Sequence, residues 1–358
     1  MKIVKRLFFL LVVFYSFILF FNIGYALEFP LRSYIYQDKS WKSYDFEPYG
    51  LRGVWFRPIF YDFGKLWLVD SFNIYKMDIK TGKLYKSELV ENIKNIYKDK
   101  KGILWISALE KLYKVKKGKI IKEINWPDKG KWFSVKQVFE DMQGNLWFLL
   151  YNRIIKYDKK SWKLTVQPKI PKGYKLNCFG IDTAGNIYVS CYEEEDVLAG
   201  IGRERIIMRN NSDWIAIYEN KFGPNMRGLS RFIIPFKENM LVSFTGKGIF
   251  LYKDKKFEKF GDKNIGSVVY CAKKDKKGVL WLGTNRGLVK YDNEKFTVLE
   301  NTYTGIEYNK ELKEFRKIVN YTWKQIYSID FDNKGNLWFS SGSGVGIYKL
   351  SGQYQEGK

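Results

Sequence analysis

One short pattern recurs along the chain and constrains its fold more than any other feature. A copy begins with Asp, has Gly three residues later, and ends in Leu-Trp or a close equivalent. The first copy has one residue fewer before its Gly, and the fifth lacks both Asp and Gly. Successive Trp positions are 38, 42, 41, 54, 39 and 57 residues apart, and the four short steps match one propeller blade. The copies are Tyr61–Trp67, Asp99–Trp105, Asp141–Trp147, Asp182–Tyr188, Lys237–Val242, Asp275–Trp281 and Asp332–Trp338.

Each repeat is predicted to form four antiparallel strands. Asp accepts backbone hydrogen bonds at the start of a turn, and Gly adopts the positive φ that other residues resist. An alternating strand precedes the turn, as in Gln325 to Phe331, and the Leu-Trp strand follows it. One four-stranded sheet cannot bury both of its faces, whereas sheets packed radially can. The sequence therefore predicts an all-β, seven-bladed β-propeller in which the repeated Trp packs between blades.

The two ends of the repeat region are predicted to complete one blade. The seventh unit, 325–350, has three clear strands and a weak fourth. The segment Trp41 to Tyr44 precedes the first unit and has the composition of an isolated fourth strand. Pairing this segment beside Ile347 to Leu350 would close the ring and remove an open sheet edge.

The first 26 residues form a separate segment. Lys2, Lys5 and Arg6 precede an uncharged apolar run from Leu7 to Ile23, and small residues follow. This order is typical of a signal peptide, here cleaved after Ala26. An uncleaved anchor is the alternative, because 17 apolar residues are at the short limit for crossing a bilayer. We therefore expect a periplasmic or secreted protein whose residues 27–358 form a single propeller domain.

The chain is strongly basic. Its formal net charge is +24, and removal of three N-terminal cations leaves 24 − 3 = +21. Because export removes the protein from nucleic acid, we expect no nucleic-acid partner. Most lysines are expected to form the polar half of alternating strands, as in Lys111 to Lys116. The alternative is attraction to anionic envelope material such as lipid head groups, acidic glycans or peptidoglycan.

The chain contains no histidine. This removes His-based metal sites, Ser-His and Cys-His pairs, and the commonest general base near neutral pH. Three cysteines are too few for a disulfide framework and fit no zinc spacing. Cys178 and Cys191 flank one predicted hairpin, so a disulfide and free buried thiols both remain open. We expect no metal, no cofactor and no catalytic residue.

The sixth repeat resembles a known family. Gly283-Thr284 and Gly287-Leu288 follow its Trp, and the unit ends in Tyr291-Asp292. This order is similar to the two-component regulator propeller repeat. The resemblance covers residues 41–350, but the other repeats keep only the turn and the Trp position. It implies an extracytoplasmic sensor region. Since no membrane span or kinase follows before Lys358, it implies a soluble partner of a membrane sensor, or a scaffold.

The Asp-x-x-Gly-Asn-x-Trp turns are also similar to those of streptogramin-lyase-like propellers. That resemblance implies chemistry that uses a histidine, which this chain lacks. The sequence therefore favours a non-catalytic binding or sensing module. A polysaccharide lyase or glycosidase that does not use histidine is one alternative. An outer-membrane assembly scaffold is the other.

The two long repeat steps indicate insertions. Extra residues fall at 191–205, between strands two and three of the fourth unit, and at 301–321, before the seventh. Both connections are expected on the face opposite the Asp-x-x-Gly turns. A capping box at 304–307 and helical spacing of apolar residues over 308–319 predict a short amphipathic helix. The acidic run 193–196 is either a solvated loop tip or a site for a cation or basic partner.

Cations and aromatic residues are combined in the blade linkers of this same face. Aromatic rings stack on sugars or peptides, while Arg binds carboxylates and phosphates. The alternative for half of these aromatic residues is that they pack in the core and do not contact a ligand. We expect an acidic glycan or peptide of the cell envelope as ligand, and a monomeric protein. The predicted ligand-binding residues are Arg52, Trp55, Arg57, Lys131, Trp132, Tyr174, Arg227, Arg231 and Trp323.

Overall fold

The structure is a computed structural model built almost entirely of β-strands. In its described part, no helix is both long and apolar enough to cross a membrane. Only two single turns of 3-10 helix occur there, at Pro224–Met226 and Lys263–Ile265. The structure describes residues 27–30, 32–35, 41–45, 58–69, 73–87, 89–127, 135–196, 200–210, 213–261, 263–299, 302–309, 314–322, 325–341 and 344–348.

Six sheets are each built from four strands that follow one another along the chain, and we call them blades 1 to 6. Strand β1 (Leu27–Pro30) is added to the outer edge of blade 1. Blade 1 consists of β4 (Ile59–Asp62), β5 (Lys65–Val69), β6 (Ile74–Asp78) and β7 (Lys83–Ser87). Blade 2 consists of β8 (Ile93–Lys98), β9 (Leu104–Ala108), β10 (Lys111–Lys116) and β11 (Lys119–Asn125). Blade 3 consists of β12 (Gln137–Glu140), β13 (Leu146–Leu149), β14 (Ile154–Tyr157) and β15 (Trp162–Val166). Blade 4 consists of β16 (Lys175–Ile181), β17 (Ile187–Asp196), β18 (Ile201–Asn210) and β19 (Asp213–Phe222). Blade 5 consists of β20 (Ser230–Phe236), β21 (Asn239–Phe244), β22 (Gly248–Lys253) and β23 (Lys256–Lys259). Blade 6 consists of β24 (Val269–Lys274), β25 (Leu280–Thr284), β26 (Gly287–Asp292) and β27 (Lys295–Leu299).

A further sheet, which we call the composite sheet, combines strands from both ends of the described chain. The C-terminal end supplies β30 (Ile326–Phe331), β31 (Leu337–Ser341) and β32 (Gly344–Tyr348). The N-terminal end supplies β3 (Trp41–Asp45), which pairs with β32, and β2 (Arg32–Ile35), which pairs with β3. The described chain thus has six blades of consecutive strands rather than the seven expected, and the seventh repeat contributes three strands to the composite sheet.

The sheets are arranged around a common centre. The first strand of each sheet contacts that of a neighbour, from β8 through β12, β16, β20 and β24 to β30 and β4. Every neighbouring pair of strands within a sheet is antiparallel, as the register of blade 3 illustrates. The prediction of an all-β propeller with four-stranded antiparallel blades is confirmed.

The hydrogen bonds that shape the Asp-x-x-Gly turn are illustrated by the copy in blade 3. One carboxylate oxygen of Asp141 accepts the backbone N–H of Asn145 at 2.8 Å, and the other accepts the indole N–H of Trp147 at 2.8 Å. Gly144 has a φ of 82°, in the region that Gly adopts most easily. The same Asp therefore shapes the turn and orients the Trp six residues later.

The repeated Trp is core, as the sequence predicted. Trp67, Trp105, Trp281 and Trp338 are each at most 2% exposed. Trp147 of blade 3 packs with residues of blade 4, including Phe179. Full burial of a large apolar side chain contributes roughly 1.5–3 kcal/mol, so the repeated ring is a main source of cohesion between blades.

The predicted helix before the seventh repeat is wrong. Residues 304–309 belong to β28 (Thr302–Asn309) and residues 314–319 to β29 (Glu314–Thr322), and these two strands pair to form their own two-stranded sheet. Gly305 would cost about 1 kcal/mol inside a helix. Aromatic and β-branched residues also favour strands. The register sets Tyr308 opposite Phe315 and Glu307 opposite Arg316.

The described extra residues of the fourth repeat, 191–196 and 201–205, lengthen two strands of blade 4. Pairing of β17 with β18 continues from Ile187 to Asp196, so residues 191–196 and 201–205 extend blade 4 by roughly 15 Å. Cys191 lies opposite Leu176, and the register shifts before Phe179. Both Cys178 and Cys191 are buried free thiols.

Candidate functional site

The order of strands defines two faces of the propeller. In an antiparallel blade, connections from strand one to two and from three to four lie at one end. Connections from strand two to three, and those between blades, lie at the other end. The Asp-x-x-Gly turns therefore share one face, called here the turn face. The blade linkers share the opposite face, called the linker face.

Five innermost strands, as far as they are described, carry a β-bulge near the linker face. Arg231 is the extra residue in β20, Tyr270 in β24 and Tyr327 in β30. The register also shifts near the start of β8 and of β16. Bulges interrupt pairing and re-aim side chains, and they are common beside functional sites.

Three bulge residues form a contiguous group, which we call the mouth cluster: Arg231, Tyr270 and Tyr327. The guanidinium carbon of Arg231 lies 4.8 Å from the centre of the Tyr270 ring. The rings of Tyr270 and Tyr327 meet edge to face, with centres 4.9 Å apart. Arg231 and Tyr270 are partly exposed, whereas Tyr327 is buried. The cluster thus places a permanent positive charge against aromatic rings at the linker face.

A buried carboxyl group fixes the strand that carries Arg231. Glu204 of β18 is 1% exposed. It accepts hydrogen bonds from the Ser190 hydroxyl at 2.6 Å and the Ser230 backbone N–H at 3.0 Å. Burial raises the pKa of Glu204 to about 7, although these hydrogen bonds act in the opposite direction. Because Ser230 directly precedes Arg231, this network links blade 4 to the mouth cluster.

Three of the predicted ligand-binding residues lie within the described structure. Arg231 belongs to the mouth cluster. Arg227 is exposed just before blade 5, where its backbone forms an isolated antiparallel β-bridge with Gly223. Tyr174 packs against the core between blades 3 and 4, with its ring centre 6.0 Å from the guanidinium carbon of Arg205. The others lie outside the described residues: Arg52, Trp55, Arg57, Lys131, Trp132 and Trp323.

The acidic run 193–196 belongs to β17, and basic residues of the chain itself face it. Lys175 Nζ lies 3.0 Å from a carboxylate oxygen of Glu194, and Arg203 pairs with Glu195. These ion pairs occupy the run that the sequence suggested as a cation site. Across the described ranges, no group of three or more Cys, Asp or Glu residues is placed to hold a metal ion.

A groove on the turn face was not anticipated from the sequence. It lies between blade 6 and the composite sheet and has a volume of about 400 Å³. Its lining combines the apolar side chains of Val279, Trp281 and Phe331 with the turns 275–277 and 333–335. A sign of it was present in the repeat alignment, since Phe331 takes the position held by Glu140 in blade 3.

Comparisons with known proteins agree with this geometry. The family model described as "Two component regulator propeller" matches residues 265–286. A streptogramin B lyase structure has a TM-score of 0.51 and 14% identity, covering 83% of this chain and 93% of that chain. A catalytically inactive histidine-to-alanine variant of virginiamycin B lyase from Staphylococcus aureus, with quinupristin, has a TM-score of 0.52 and 13% identity, covering 90% of this chain and 100% of that chain.

The extracellular domain of a hybrid two component system protein from B. thetaiotaomicron has a TM-score of 0.54 and 16% identity. That match covers 84% of this chain and 39% of that chain, so this chain spans well under half of that protein. No curated protein sequence matches the chain. The fold and the turns define a β-propeller. Within that class, residues 265–286 are similar to the two-component regulator propeller repeat, and the fold is similar to that of streptogramin B lyase.

Proposed function

We propose that the protein is an exported, non-catalytic binding module that recognises an anionic ligand at the linker face. The mouth cluster is the observation that carries this proposal. An Arg side chain can hold a carboxylate or phosphate through several N–H donors, and Tyr rings provide flat apolar surface beside it. Arg231 and Tyr270 are both partly exposed, so a ligand at the linker face can reach the charge and the ring together.

The ligand class follows from charge. The chain has 62 basic and 38 acidic residues, which favours an acidic partner over a neutral or basic one. We take this partner to be an acidic glycan or acidic peptide of the cell envelope. The predicted linker residues Arg52, Trp55, Arg57, Lys131 and Trp132 would extend the same surface around the central opening.

The location and the architecture are part of this proposal. Residues 1–26 have the composition of a signal peptide, which supports a periplasmic or secreted protein. The composite sheet supports a ring in which β3 completes the last blade. The extracellular domain of the hybrid two component system has the same fold, which supports a membrane sensor protein as a partner.

An enzyme is the second candidate, because lyases share the fold. One lyase variant is inactive after a histidine-to-alanine change, and this chain contains no histidine. Its buried carboxylates also have structural partners: Asp99 and Asp141 bond to Trp indoles, and Asp330 to two lysines. These observations favour binding without catalysis.

The proposal is tested with polygalacturonate and polyglutamate as anionic probes and dextran as the neutral probe. We expect calorimetry to show binding of at least one polyanion by the purified propeller, weakened by added salt. Arg231→Ala and Tyr270→Ala should each reduce the affinity roughly fivefold or more, because a charged or stacked contact is lost. Arg209→Ala, at the turn-face end of β18, is the matched control and should bind like the native protein. Equal affinity for dextran, or no effect of either mouth variant, would contradict the proposal.

A further inference from the structure

The groove on the turn face has an apolar floor and a basic rim. Phe331 and Val279 are partly buried and supply the floor together with an edge of Trp281. The rim carries four lysines and two aspartates: Lys276, Lys277, Lys290, Lys334, Asp275 and Asp292. The formal charge of this lining is therefore 4 − 2 = +2.

The corresponding groove between blades 2 and 3 is filled by the protein itself. There Lys159 Nζ lies 2.8 Å from a carboxylate oxygen of Glu140 and 3.1 Å from one of Asp99. Glu140 lies opposite Leu146, as Phe331 lies opposite Leu337, so the two positions are equivalent. Between blade 6 and the composite sheet, a phenyl ring replaces this internal carboxylate.

The lysine that fills the first groove comes from blade 3, where it follows Tyr157-Asp158 and Tyr157 lies opposite Leu146. In the composite sheet Tyr348 lies opposite Leu337, so the position that matches Lys159 is 350, outside the described residues. The groove between blade 6 and the composite sheet has a volume of about 400 Å³, within the size range of sites for small molecules.

Three of the four rim lysines have no acidic partner in the part of the chain that the structure describes. Lys276 donates to the backbone oxygen of Asn333 at 3.3 Å, and Lys290 pairs with Asp292 at 2.9 Å. Lys277 and Lys334 are exposed and form no ion pair with any described residue. These two lysines come from adjacent Asp-x-x-Gly turns on the two sides of the groove.

Asp275, the aspartate of the blade 6 turn, is bonded within that turn and not to the ammonium groups of the described rim lysines. Asp275 accepts the backbone N–H groups of Lys277 at 2.8 Å and Val279 at 3.0 Å. Its second oxygen accepts the Trp281 indole N–H at 3.1 Å. The carboxylate is therefore held by its own turn and forms no ion pair with a rim lysine among the described residues, and the four lysines of the rim still outnumber its two aspartates.

We propose that this groove binds a small organic anion with an apolar body, such as an aromatic or branched aliphatic carboxylate. The apolar body rests on Phe331 and Val279, and the carboxylate lies between the ammonium groups of Lys277 and Lys334. An inorganic anion would leave the floor uncovered, and a neutral apolar molecule would leave the lysines unpaired. This site lies on the face opposite the mouth cluster and is independent of the function proposed for that cluster.

The ligand class is tested with three compounds on the whole propeller. Phenylacetate combines a ring with a carboxylate, phenylacetamide is its neutral analogue, and acetate has the charge without the ring. We expect one-to-one binding of phenylacetate, and at least tenfold weaker binding of the other two, by calorimetry or ligand-observed NMR. Binding of phenylacetamide as tight as that of phenylacetate, or no binding of phenylacetate, would overturn the proposal.

The position is tested with charge and floor variants. The double variant Lys277→Ala/Lys334→Ala should weaken phenylacetate binding roughly tenfold while the melting temperature stays unchanged. Lys101→Ala removes the equivalent lysine of the blade 2 turn and should leave binding unchanged. Phe331→Glu restores the acidic residue of the filled groove and should abolish binding. The lysine variants do not disturb the core, so unchanged affinity in the double variant refutes the site even if Phe331→Glu fails to fold.

Discussion

Glu204 is a residue whose ionisation should be visible in the stability of the whole domain. It lies between blades 4 and 5, where three donors from Ser190 and Ser230 reach its carboxyl group. The charge of Lys247 also lowers its pKa, and burial outweighs all of these effects. A carboxyl with a folded-state pKa of about 7 remains partly protonated at neutral pH.

The expected pH dependence has a definite sign. The folded-state pKa of Glu204 is about 7 and the ordinary value is 4.5, so the folded state holds its proton longer than the unfolded state. Below pH 4.5 Glu204 is protonated in both states, so its ionisation does not change the free energy of unfolding. As pH rises from 4.5 to 7, the free energy of unfolding falls. The total loss is roughly 2–4 kcal/mol. Glu204→Gln should remove this loss, and urea titrations at pH 5 and pH 8 would measure it.

The matched control for this prediction is Glu219→Gln, which changes an exposed carboxylate of the same blade. It should keep the pH dependence of the native protein. If the stability of Glu204→Gln has the same pH dependence as that of the native protein, Glu204 does not titrate as its burial indicates.

Residues that act locally could be predicted from the sequence. Asp141, Gly144 and Trp147 lie within seven positions of one another, so turn chemistry and apolar character were enough to assign their roles. The bond from the Trp147 indole to Asp141 was not foreseen, because it depends on the twist of the hairpin. The mouth cluster was foreseen only at Arg231, since Tyr270 and Tyr327 become neighbours through bulges that no local pattern indicates.

At the scale of the element, the extra residues of the two long repeats form different structures. The hairpin of β28 and β29 pairs only with itself among the described strands. The extension of blade 4 contains Glu204 and Cys191, which are at most 1% exposed. The sequence presented both as insertions of similar length, because spacing alone does not distinguish an added hairpin from lengthened strands.

This difference predicts that shortening the two segments affects stability to very different extents. Replacing 301–321 with a short Gly-containing turn should change the melting temperature by only a few degrees, because closing a surface connection costs little entropy. Deleting 191–205 should lower it by roughly 10 °C or more, because a buried hydrogen-bond network and core contacts are lost. Thermal unfolding followed by circular dichroism measures both.

A third variant serves as the control for the blade 4 deletion. Replacing only 194–201 shortens the tip of β17 and β18 but keeps Cys191 and Glu204. It should melt close to the native protein. A deletion of 191–205 that melts as the native protein does would show that the extension is a dispensable insertion after all.

At the scale of the whole molecule, Asp330 connects four sheets at the centre. Its carboxylate accepts the backbone N–H of Tyr61 in blade 1 at 2.7 Å and pairs with Lys98 of blade 2 and Lys273 of blade 6. Burial alone would raise the pKa of Asp330, but the two ammonium groups outweigh it and hold the pKa below its ordinary value. One side chain of the composite sheet therefore joins both ends of the blade series.

The pairing of β3 with β32 is the second connection between the ends of the chain. Tyr44 is 5% exposed, and its ring stacks on Trp338 with centres 6.0 Å apart. Tyr44 also belongs to a core cluster with Leu66 and Leu68 of blade 1. Five residue pairs join β3 to β32, from Trp41 opposite Tyr348 to Asp45 opposite Gly344. Packing and strand pairing therefore act together at this position.

If this pairing closes the ring, two truncations of different length should behave differently. Removing residues 27–50 deletes β3, exposes the edge of β32 and uncovers Trp338. We expect a loss of several kcal/mol, a large share of the typical 5–15 kcal/mol for a folded domain. The exposed edge should also promote association, measurable by size-exclusion chromatography. Removing only residues 27–35 deletes the outer strands β1 and β2 but keeps β3, so urea titration should show a much smaller loss. Equal stability of the two truncated proteins would mean that β3 does not hold the ring together.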